Sequence, residues 1–552
     1  MENYRRILLL IVFATSLGMI WDGWVNRNRP RIAPSTQVAS NTGVPQGGVT
    51  PKGTTPQGTV PTASEATVQN KAPTLTINTD LVEAKISADG GSIVYLTLKK
   101  HKQRDEKHKD FVLLDDGTNH FYTLQSGLLG QDLPTHKTRF NLPAENLSLE
   151  EGKQSLEVRL TANNARAGVT KILTFHRNSY LIDVRYELNN KGTEPIQPEA
   201  YFQFVRDDKP AEIAEGFGGI TTFTGPAFYT NASKYAKVAF KDIQNNKAKI
   251  PETANDGWVA MVQHYFVSAI LPPANVTRKF VADTVSPGLY SAGVVLPGQS
   301  IAPGQSGTVA ESSVFSGPQE QATLDALATG MPLVVDYGWL TVIASPLFLA
   351  ISWLHKLTGN WGWAIILVTI LLKLIFFPLS AASYRSMAKM RTLQPKMQQL
   401  KERIGDDKMK MQQEMMELYK KEKINPLGGC WPILIQIPIF IALYWVLLGS
   451  VEMRQAPWIG WIQDLSIKDP YYVLPLIYGA SMFIQTKLNP TPPDPVQAKV
   501  MLFMPLIFTV MFLWFPSGLV LYWVVNNVLS IAQQWYITRM IEDAEKAKAP
   551  HA

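Results

Sequence analysis

An apolar stretch with a charge inside it constrains the fold of this chain more than any other feature. The run WGWAIILVTILLKLIFFPL, from Trp361 to Leu379, is long and apolar enough to cross a lipid bilayer as one helix. It contains Lys373, and an ammonium at the centre of a membrane helix costs about 2.5–3.5 kcal/mol on insertion scales. Lys373 therefore either reaches a nearby interface with its long side chain or belongs to a functional polar site.

The composition divides the chain into two halves. The hydrophobic fraction of 46% averages a polar N-terminal half with a very apolar C-terminal half. The net charge of +7 could suggest a nucleic-acid partner, but the basic residues concentrate beside apolar runs. This pattern is typical of membrane orientation, so no direct nucleic-acid partner is predicted. The single cysteine, Cys430, excludes an intrachain disulfide and a CxxC metal site.

The N-terminus resembles a signal sequence that is not removed. Arg5 and Arg6 precede an apolar run that ends at Ile20, and no small-residue cleavage site follows. Trp21 and Trp24 suit a membrane interface. Residues 1–24 are therefore predicted to form a signal-anchor transmembrane helix with a cytoplasmic N-terminus. Residues 25–72, rich in Pro, Gly, Thr and Ser, are predicted to be a disordered tether.

Residues 73–330 have the pattern of one soluble, exported β-sandwich domain. Short alternating runs separated by turn residues favour antiparallel strands, with a turn at Asp89-Gly90-Gly91. The predicted strands are Thr74–Asn78, Leu81–Ala88, Ser92–Lys99, Ser155–Thr161, Val169–Phe175 and Leu181–Leu188. We find no chemical motif here: Gly216-Phe217-Gly218-Gly219 lacks dinucleotide-binding spacing, and Lys99-Lys100-His101-Lys102 is predicted to be a solvated loop. No metal site or cofactor is predicted.

Residues 331–357 contain a charge-free run that could be taken for a membrane span. If Tyr337 to Leu354 crossed the bilayer, the later spans would invert and the most basic loop of the chain would face outward. Pro346 also interrupts the run. We therefore predict an amphipathic helix or a broken hairpin that lies on the outer interface of the membrane.

Residues 358–537 are predicted to form the membrane core. After the Lys373 helix, three further apolar runs and a last long one alternate in direction, which makes six spans with the N-terminal anchor. The later spans are predicted at Trp431–Leu448, Tyr471–Thr486, Val500–Phe515 and Leu519–Ile537. Residues 538–552 are predicted to be a cytoplasmic tail, so both termini lie in the cytoplasm.

A cytoplasmic helical hairpin is predicted at residues 380–425. The segment from Ser380 to Gly429 carries eleven Lys and Arg against six Asp and Glu, a net charge of +5, which the positive-inside rule places in the cytoplasm. Apolar residues at spacings of three and four predict a coiled-coil seam, and Gly405-Asp406-Asp407 predicts the turn. Methionines suit adaptable contact with apolar partners, although they could equally be seam filler. The seam residues of interest are Met390, Met397, Leu400, Met411 and Met415.

Several polar side chains are predicted to lie at the depth of Lys373. About 9 Å of helix separates Lys373 from the polar residue Ser380, and Gln436 lies at a similar distance from its cytoplasmic boundary. Thr369 is one turn deeper on the same face. The last span adds polar groups in its middle and cytoplasmic half, whereas its outward end is apolar. These features predict a wet vestibule that is open to the cytoplasm and sealed on the outside. The polar groups of the last span are Asn526, Asn527, Ser530, Gln533 and Gln534.

The same segments resemble the YidC membrane-protein insertases of Gram-negative bacteria. The resemblance is carried by KLIFFPL followed by SMAKMRTLQPKMQQLKERIGDD, by KINPLGGCWPILIQIPIFIALYWVL, and by FPSGLVLYWVVNN. It implies a super-sandwich fold for the β domain and five core helices around a hydrophilic groove in the bacterial inner membrane. It also implies a groove arginine, at whose position this chain has Lys373, so the charge is kept while bidentate donation is lost. The implied partners are nascent membrane-protein clients, the lipid bilayer, a Sec translocon and the ribosome.

The sequence therefore predicts a non-enzymatic insertase and chaperone for membrane proteins. The predicted groove and client-binding residues are Lys373, Thr369, Gln436, Tyr522, Asn526 and Gln533. One alternative is a secondary transporter or channel with Lys373 as its ion or proton site, which would favour internal repeats and broken half-helices that we do not find. Another is a membrane-anchored carbohydrate enzyme, which needs a convergent carboxylate or histidine site in the β domain.

Overall fold

The structure is a computed structural model that describes most of the chain after the N-terminal region. The described residues are 72–104, 106, 108–209, 222–405, 407–421, 431–489 and 495–546. The predicted anchor at 1–24, the tether up to residue 71, the glycine-rich segment at 216–219 and the tail beyond residue 546 lie outside these ranges. The described chain forms two compact units, a β unit that ends at Val335 and a helical unit that begins at Asp336.

The β unit is made of two sheets. Its described strands are β1 (Thr74–Asn78), β2 (Val82–Ser87), β3 (Ile93–Lys102), β4 (Asp110–Asp116), β5 (Phe121–Leu129), β6 (Leu147–Ser148), β7 (Ser155–Asn163), β8 (Ala167–His176), β9 (Leu181–Asn190), β10 (Glu199–Asp207), β11 (Gly225–Thr230), β12 (Lys234–Lys237), β13 (Thr253–Ala254), β14 (Trp258–Val262), β15 (Phe266–Leu271), β16 (Arg278–Ser286), β17 (Leu289–Pro297) and β18 (Ser306–Pro318). One sheet has the order β13-β16-β17-β10-β5-β4-β3-β2-β1-β6, and the other has the order β12-β11-β14-β15-β18-β9-β8-β7. Only the β1–β6 pair among these neighbours is parallel.

Aromatic rings pack between the two sheets. Phe111 of β4 stacks on Phe266 of β15 with ring centroids 4.0 Å apart. Tyr186 of β9 meets Phe202 of β10 edge to face at 6.3 Å. Because strand side chains alternate between faces, each strand contributes every second residue to this shared core. The predicted antiparallel sandwich is confirmed.

A buried lysine holds the turn between β2 and β3. Gly90 and Gly91 adopt φ angles of +69° and +58°, which favour glycine. The Nζ of Lys171 on β8 donates to the carbonyls of Gly90 and Gly91 at 3.0 and 2.9 Å. Lys171 is only 2% exposed, and burial lowers the pKa of its ammonium to about 7. The lysine thus joins the turn of one sheet to a strand of the other.

The β unit should become more stable between pH 7 and pH 9 because of Lys171. Its pKa is about 7 in the folded state against an ordinary value of 10.5, so the unfolded chain binds more protons in this window. The free energy of unfolding should therefore rise by about 1 kcal/mol per pH unit. We expect denaturant unfolding of Lys171→Met to lack this increase. An equal rise in the variant would assign the pH dependence to other groups.

The predicted solvated loop at Lys99–Lys102 is wrong. These residues are the end of β3. The Lys102 ammonium pairs with the Asp110 carboxylate of β4 at 2.5 Å, and the His101 ring contacts the edge of Phe266. Cross-strand pairing with β4 therefore extends the strand through a charged segment, because the charges find partners at the sheet surface.

The other described elements are helices. The β unit contains α1 (Phe240–Gln244) and α2 (Gln321–Leu327), followed by a 3-10 turn at Met331–Val334. The helical unit contains 3-10 turns at Gly338–Leu340 and Val451–Met453. Its α-helices are α3 (Thr341–Thr358), α4 (Trp361–Ile375), α5 (Phe377–Thr392), α6 (Gln394–Ile404), α7 (Lys408–Lys421), α8 (Trp431–Gly449), α9 (Val473–Leu488), α10 (Pro495–Phe512) and α11 (Ser517–Lys546).

The segment predicted to lie on the outer interface of the membrane contains one continuous helix. Pro346 is accommodated inside α3, so the broken-hairpin alternative for residues 331–357 is wrong. One face of α3 packs on α4 and α8, while Val342, Leu349 and Trp353 are exposed. By length and composition Gly338–Thr358 could also cross a membrane. Its interfacial position stays a prediction.

The apolar run with Lys373 is two helices. The predicted single span from Trp361 to Leu379 breaks at Phe376, and the two parts are bent by 66°. Pro378 explains the break, because it has no N–H to donate to the carbonyl of Leu374. Lys373 therefore lies in the last turn of α4. The predicted distance of about 9 Å from Lys373 to Ser380 along one straight helix is wrong, because the bend lies between them.

The hairpin forms later in the chain than predicted. Helices α6 and α7 pack together, and between them the Asp407 carboxylate accepts from the N–H groups of Met409 and Lys410 at 3.1 Å each. The continuous seam from Met390 is wrong, since the helix breaks at Leu393, where Pro395 prevents regular bonding. Met390 lies on α5, which packs against α11 and α8.

The apolar helices agree with the predicted spans to within a few residues at most boundaries. Beyond Gly338–Thr358 and the bent pair α4–α5, the described residues contain the shorter apolar helices Ile435–Gly449 and Ala498–Phe512. Helix α11 extends well beyond the predicted end at Ile537. The count of six spans stays a prediction.

Candidate functional site

A small cavity lies inside the helical unit, where α4, α5, α8 and α11 meet. Its volume is about 30 Å³, enough for roughly two water molecules. The polar side chains on its wall come from three predicted spans and from α5. The lining residues are Thr369, Leu372, Lys373, Phe376, Leu379, Ser380, Ile435, Gln436, Ile439, Tyr522 and Asn526.

Lys373 is held in this cavity by the last helix. Its Nζ donates to the Oγ of Ser530 on α11 at 2.7 Å. The Ser530 hydroxyl in turn donates to the backbone carbonyl of Asn526, also at 2.7 Å. Because Lys373 lies in the last turn of α4, its cation also faces the negative end of the helix dipole. The half-buried ammonium thus has a neutral hydroxyl as its hydrogen-bond acceptor.

A second polar contact joins α8 to α11. The side-chain amide of Gln436 donates to the side-chain carbonyl of Asn526. Tyr522, one turn earlier on α11, lines the same cavity. Asn526 is buried, so its side-chain amide needs this partner. The contact fixes one wall of the cavity.

Thr369 supplies a hydroxyl one turn away from Lys373. Its Oγ1 donates to the carbonyl of Ile365 at 2.6 Å. This bond uses the only hydrogen of the hydroxyl, so Thr369 presents acceptor lone pairs to the cavity. An acceptor in this position favours a cation or a water molecule beside it.

The charge of Lys373 has no counter-charge in the cavity wall. Among the described residues that line the cavity there is no aspartate or glutamate. A cation in a medium of low dielectric constant interacts strongly with any anion that reaches it, by about 4 kcal/mol at 4 Å for an effective dielectric constant of 20. The cavity is therefore built to attract a negative group.

Of the six residues predicted for the groove, five line the cavity and Gln533 does not. The Oε1 of Gln533 is buried without a hydrogen-bond partner in the described part of the chain. Asn527 donates to the Ser481 hydroxyl of α9 at 3.1 Å, and Gln534 donates to Asn489 at 2.9 Å. These two residues therefore join α11 to α9 and leave the cavity wall to other residues.

Part of the site does not follow from the sequence pattern. The depth of Ser530 in the last span does not predict its contact with Lys373. The four-residue spacing of Asn526 and Ser530 is a signal that could have found it, because such residues share one helix face. Ser380 and the apolar wall at Phe376 and Leu379 follow from the bend after α4, which the apolar pattern does not predict.

The hairpin residues lie apart from the cavity wall. Met397, Leu400, Met411 and Met415 are half-buried on α6 and α7. The hydroxyl of Tyr419 approaches the sulfur of Met397 at 3.9 Å. Both roles considered for these methionines, seam filler and contact surface, are compatible with this burial.

Comparison with known proteins finds one family over nearly the whole chain. Residues 353–545 match the family described as 60Kd inner membrane protein, and residues 74–350 match the YidC periplasmic domain. The membrane protein insertase YidC of Aromatoleum aromaticum is 60% identical over 99% of this chain and 100% of the relative. That of Dechloromonas aromatica is 53% identical over 98% of both chains. A crystal structure of active YidC insertase is similar with a TM-score of 0.40 and 19% identity, covering 85% of this chain and 95% of that one.

Proposed function

The chain belongs to the YidC family of membrane protein insertases and is a bacterial inner-membrane insertase with a periplasmic domain; from this premise we propose that the cavity around Lys373 receives its clients. A polar client segment with an acidic residue enters from the cytoplasm, attracted by Lys373. Gln436, Thr369 and Asn526 replace part of its water. The apolar span of the client then leaves sideways into lipid, where burial contributes about 25 cal/mol per Å².

The observation that carries this proposal is the half-buried ammonium without a carboxylate partner among the residues that line the cavity. An isolated charge in the membrane is costly. A lysine without a function there would be expected to lie in water or to pair with a carboxylate. Lys373 instead donates to a neutral hydroxyl in a cavity with no lining aspartate or glutamate among the described residues. A client carboxylate completes the pair, and no covalent step is needed.

The size of the cavity sets a condition on this mechanism. A volume of about 30 Å³ holds water but no peptide segment. The cavity is partly open, so a client side chain can approach it, while a whole segment needs a wider opening between the helices. The bend between α4 and α5 is a suitable place, because Phe376, Leu379 and Ser380 contribute to the wall on both sides of it.

The proposal includes an orientation of the chain. The net charge of +5 between Ser380 and Gly429 favours the cytoplasm for the hairpin and for both termini. The anchor at 1–24 and the tether at 25–72 then connect to the β domain at 73–330 in the periplasm, with residues 331–357 on that interface. The core at 358–537 and the tail at 538–552 complete six spans. A Sec translocon and the ribosome are the proposed further partners.

The central test is insertion by the purified full-length protein in liposomes. A small client with an acidic exported segment should insert without ATP at a rate well above that of protein-free liposomes. Protection of the exported segment from added protease measures insertion. Insertion that requires ATP, or a rate equal to that of empty liposomes, would contradict the proposal.

The hairpin should matter for delivery and leave the cavity intact. Replacing Met397 and Leu400 with Asp puts two charges into the half-buried contact between α6 and α7, so the hairpin should unfold while the spans still assemble. We expect client insertion to fall about tenfold at equal membrane levels. Limited proteolysis of the hairpin is the control. Normal insertion with an unfolded hairpin would make it a linker only.

A further inference from the structure

We propose that Ser530 is the resting partner of Lys373, and that the carboxylate of a client displaces it. In this view the serine hydroxyl holds the ammonium in position between clients without cancelling its charge. The inference rests on the proposed function of the cavity and adds how Lys373 is kept ready. Ser530 is a positioning residue here, because it acts through Lys373.

The contacts of Ser530 support this role. Its side chain is on α11 and is only 4% exposed. The Oγ accepts from Lys373 at 2.7 Å and donates to the Asn526 carbonyl at 2.7 Å. Ser530 thus links α4 to α11 at one atom, and its hydrogen is directed away from the lysine.

The chemistry of the two partners makes the exchange favourable. A hydroxyl that accepts from an ammonium satisfies one of its three N–H groups and adds no negative charge. A carboxylate accepts the same N–H and also carries a negative charge, so it adds ion-pair attraction that the hydroxyl lacks. An incoming acidic residue therefore replaces Ser530 as acceptor, while a neutral client segment gains little from doing so. The serine would thereby contribute to selection between clients.

A plain structural role for Ser530 is the competing explanation. Serine in a helix often donates to the carbonyl four residues earlier, as Ser530 does, without any further function. Loss of the hydroxyl alone could then lower assembly and impair all clients equally. The test must therefore compare acidic and neutral clients that are otherwise identical.

Ser530→Asp provides the main test. An aspartate in this position would pair permanently with Lys373 and compete with the client. We expect insertion of the acidic client to fall at least about tenfold more than that of the neutral client, at equal membrane levels. Asparagine has nearly the same size as aspartate but no charge, so Ser530→Asn should lower insertion of both clients equally.

Asn527→Asp is the matched control for the new charge. It places a carboxylate on the next residue of α11, where Asn527 contacts Ser481 of α9, away from the cavity wall. Any loss should be equal for the two clients. A selective loss of the acidic client in this variant would mean that a carboxylate anywhere at this depth suffices, which would overturn the role of Ser530.

A swap of the two residues keeps the experiment decisive if single variants assemble poorly. The double variant Lys373→Ser with Ser530→Lys retains one cation and one hydroxyl in the same cavity, and should restore the preference for the acidic client.

Lys373→Gln separates a failure of the proposed function from a failure of the Ser530 inference. If it affects both clients equally, the proposed function fails. If it impairs the acidic client selectively while Ser530→Asp does not, only the Ser530 inference is overturned.

Discussion

Lys373→Glu should lower insertion of clients with acidic exported segments by at least about 100-fold. The substitution turns attraction into repulsion inside a cavity whose described lining contains no other charged side chain. At an effective dielectric constant of 20, each interaction amounts to about 4 kcal/mol at 4 Å, so the change of sign is worth more than the two factors of ten required. The measurement compares insertion of two matched clients, one with an acidic and one with a neutral exported segment.

The companion variants separate charge from structure. Lys373→Arg keeps the sign and should insert both clients, although its planar guanidinium meets Ser530 with a different geometry. Lys373→Ala should impair the acidic client selectively. A lysine that merely reached the interface would tolerate Ala. An equal loss for both clients in Lys373→Glu would leave Lys373 as a structural residue.

Trp258→Ala should have the largest effect on stability in the β unit. Trp258 is 1% exposed, stacks on Tyr229 with ring centroids 5.6 Å apart, and donates through Nε1 to the carbonyl of Thr329 at 3.1 Å. Removing a buried aromatic side chain of this kind costs about 3–5 kcal/mol. The Tm of the β unit in the full-length protein should fall by about 10 °C, as measured by calorimetry.

Trp258→Phe is the control for this prediction. Phenylalanine keeps a ring against Tyr229 but leaves the Thr329 carbonyl without its donor, so the loss should be about 1–3 kcal/mol. We expect insertion by Trp258→Ala at a permissive temperature to remain near wild type, because the cavity residues all lie in the helical unit. A Tm shift below about 3 °C would show that the site repacks around the gap.

Much of the local structure could be predicted from the sequence. Strand β1 has the predicted bounds Thr74–Asn78, because alternating residues and flanking turn residues act over a few positions. The glycine turn before β3 and the Asp407 cap before α7 follow from single residues in the same way. The apolar helices were predictable since a membrane helix has to be apolar along its length.

The errors in the prediction also have identifiable physical causes. Pro378 and Pro395 each break a helix that the apolar pattern predicted as continuous. In both places the missing proline N–H decided the backbone, while periodicity described only which side chains are apolar. The strand through Lys99–Lys102 is the opposite case, since pairing with β4 outweighed the charge of the segment.

The sequence by itself determined that a cation and several polar groups lie within an apolar helical region. Only the tertiary structure decided which of them meet. Asn526 and Asn527 are adjacent in sequence but about 100° apart around α11, so one joins Gln436 at the cavity and the other joins Ser481 on α9. The partner of Lys373 is Ser530, 157 positions away in the chain. Such a contact depends on how α4 and α11 pack, because neither helix specifies the rotation of the other through its own periodicity.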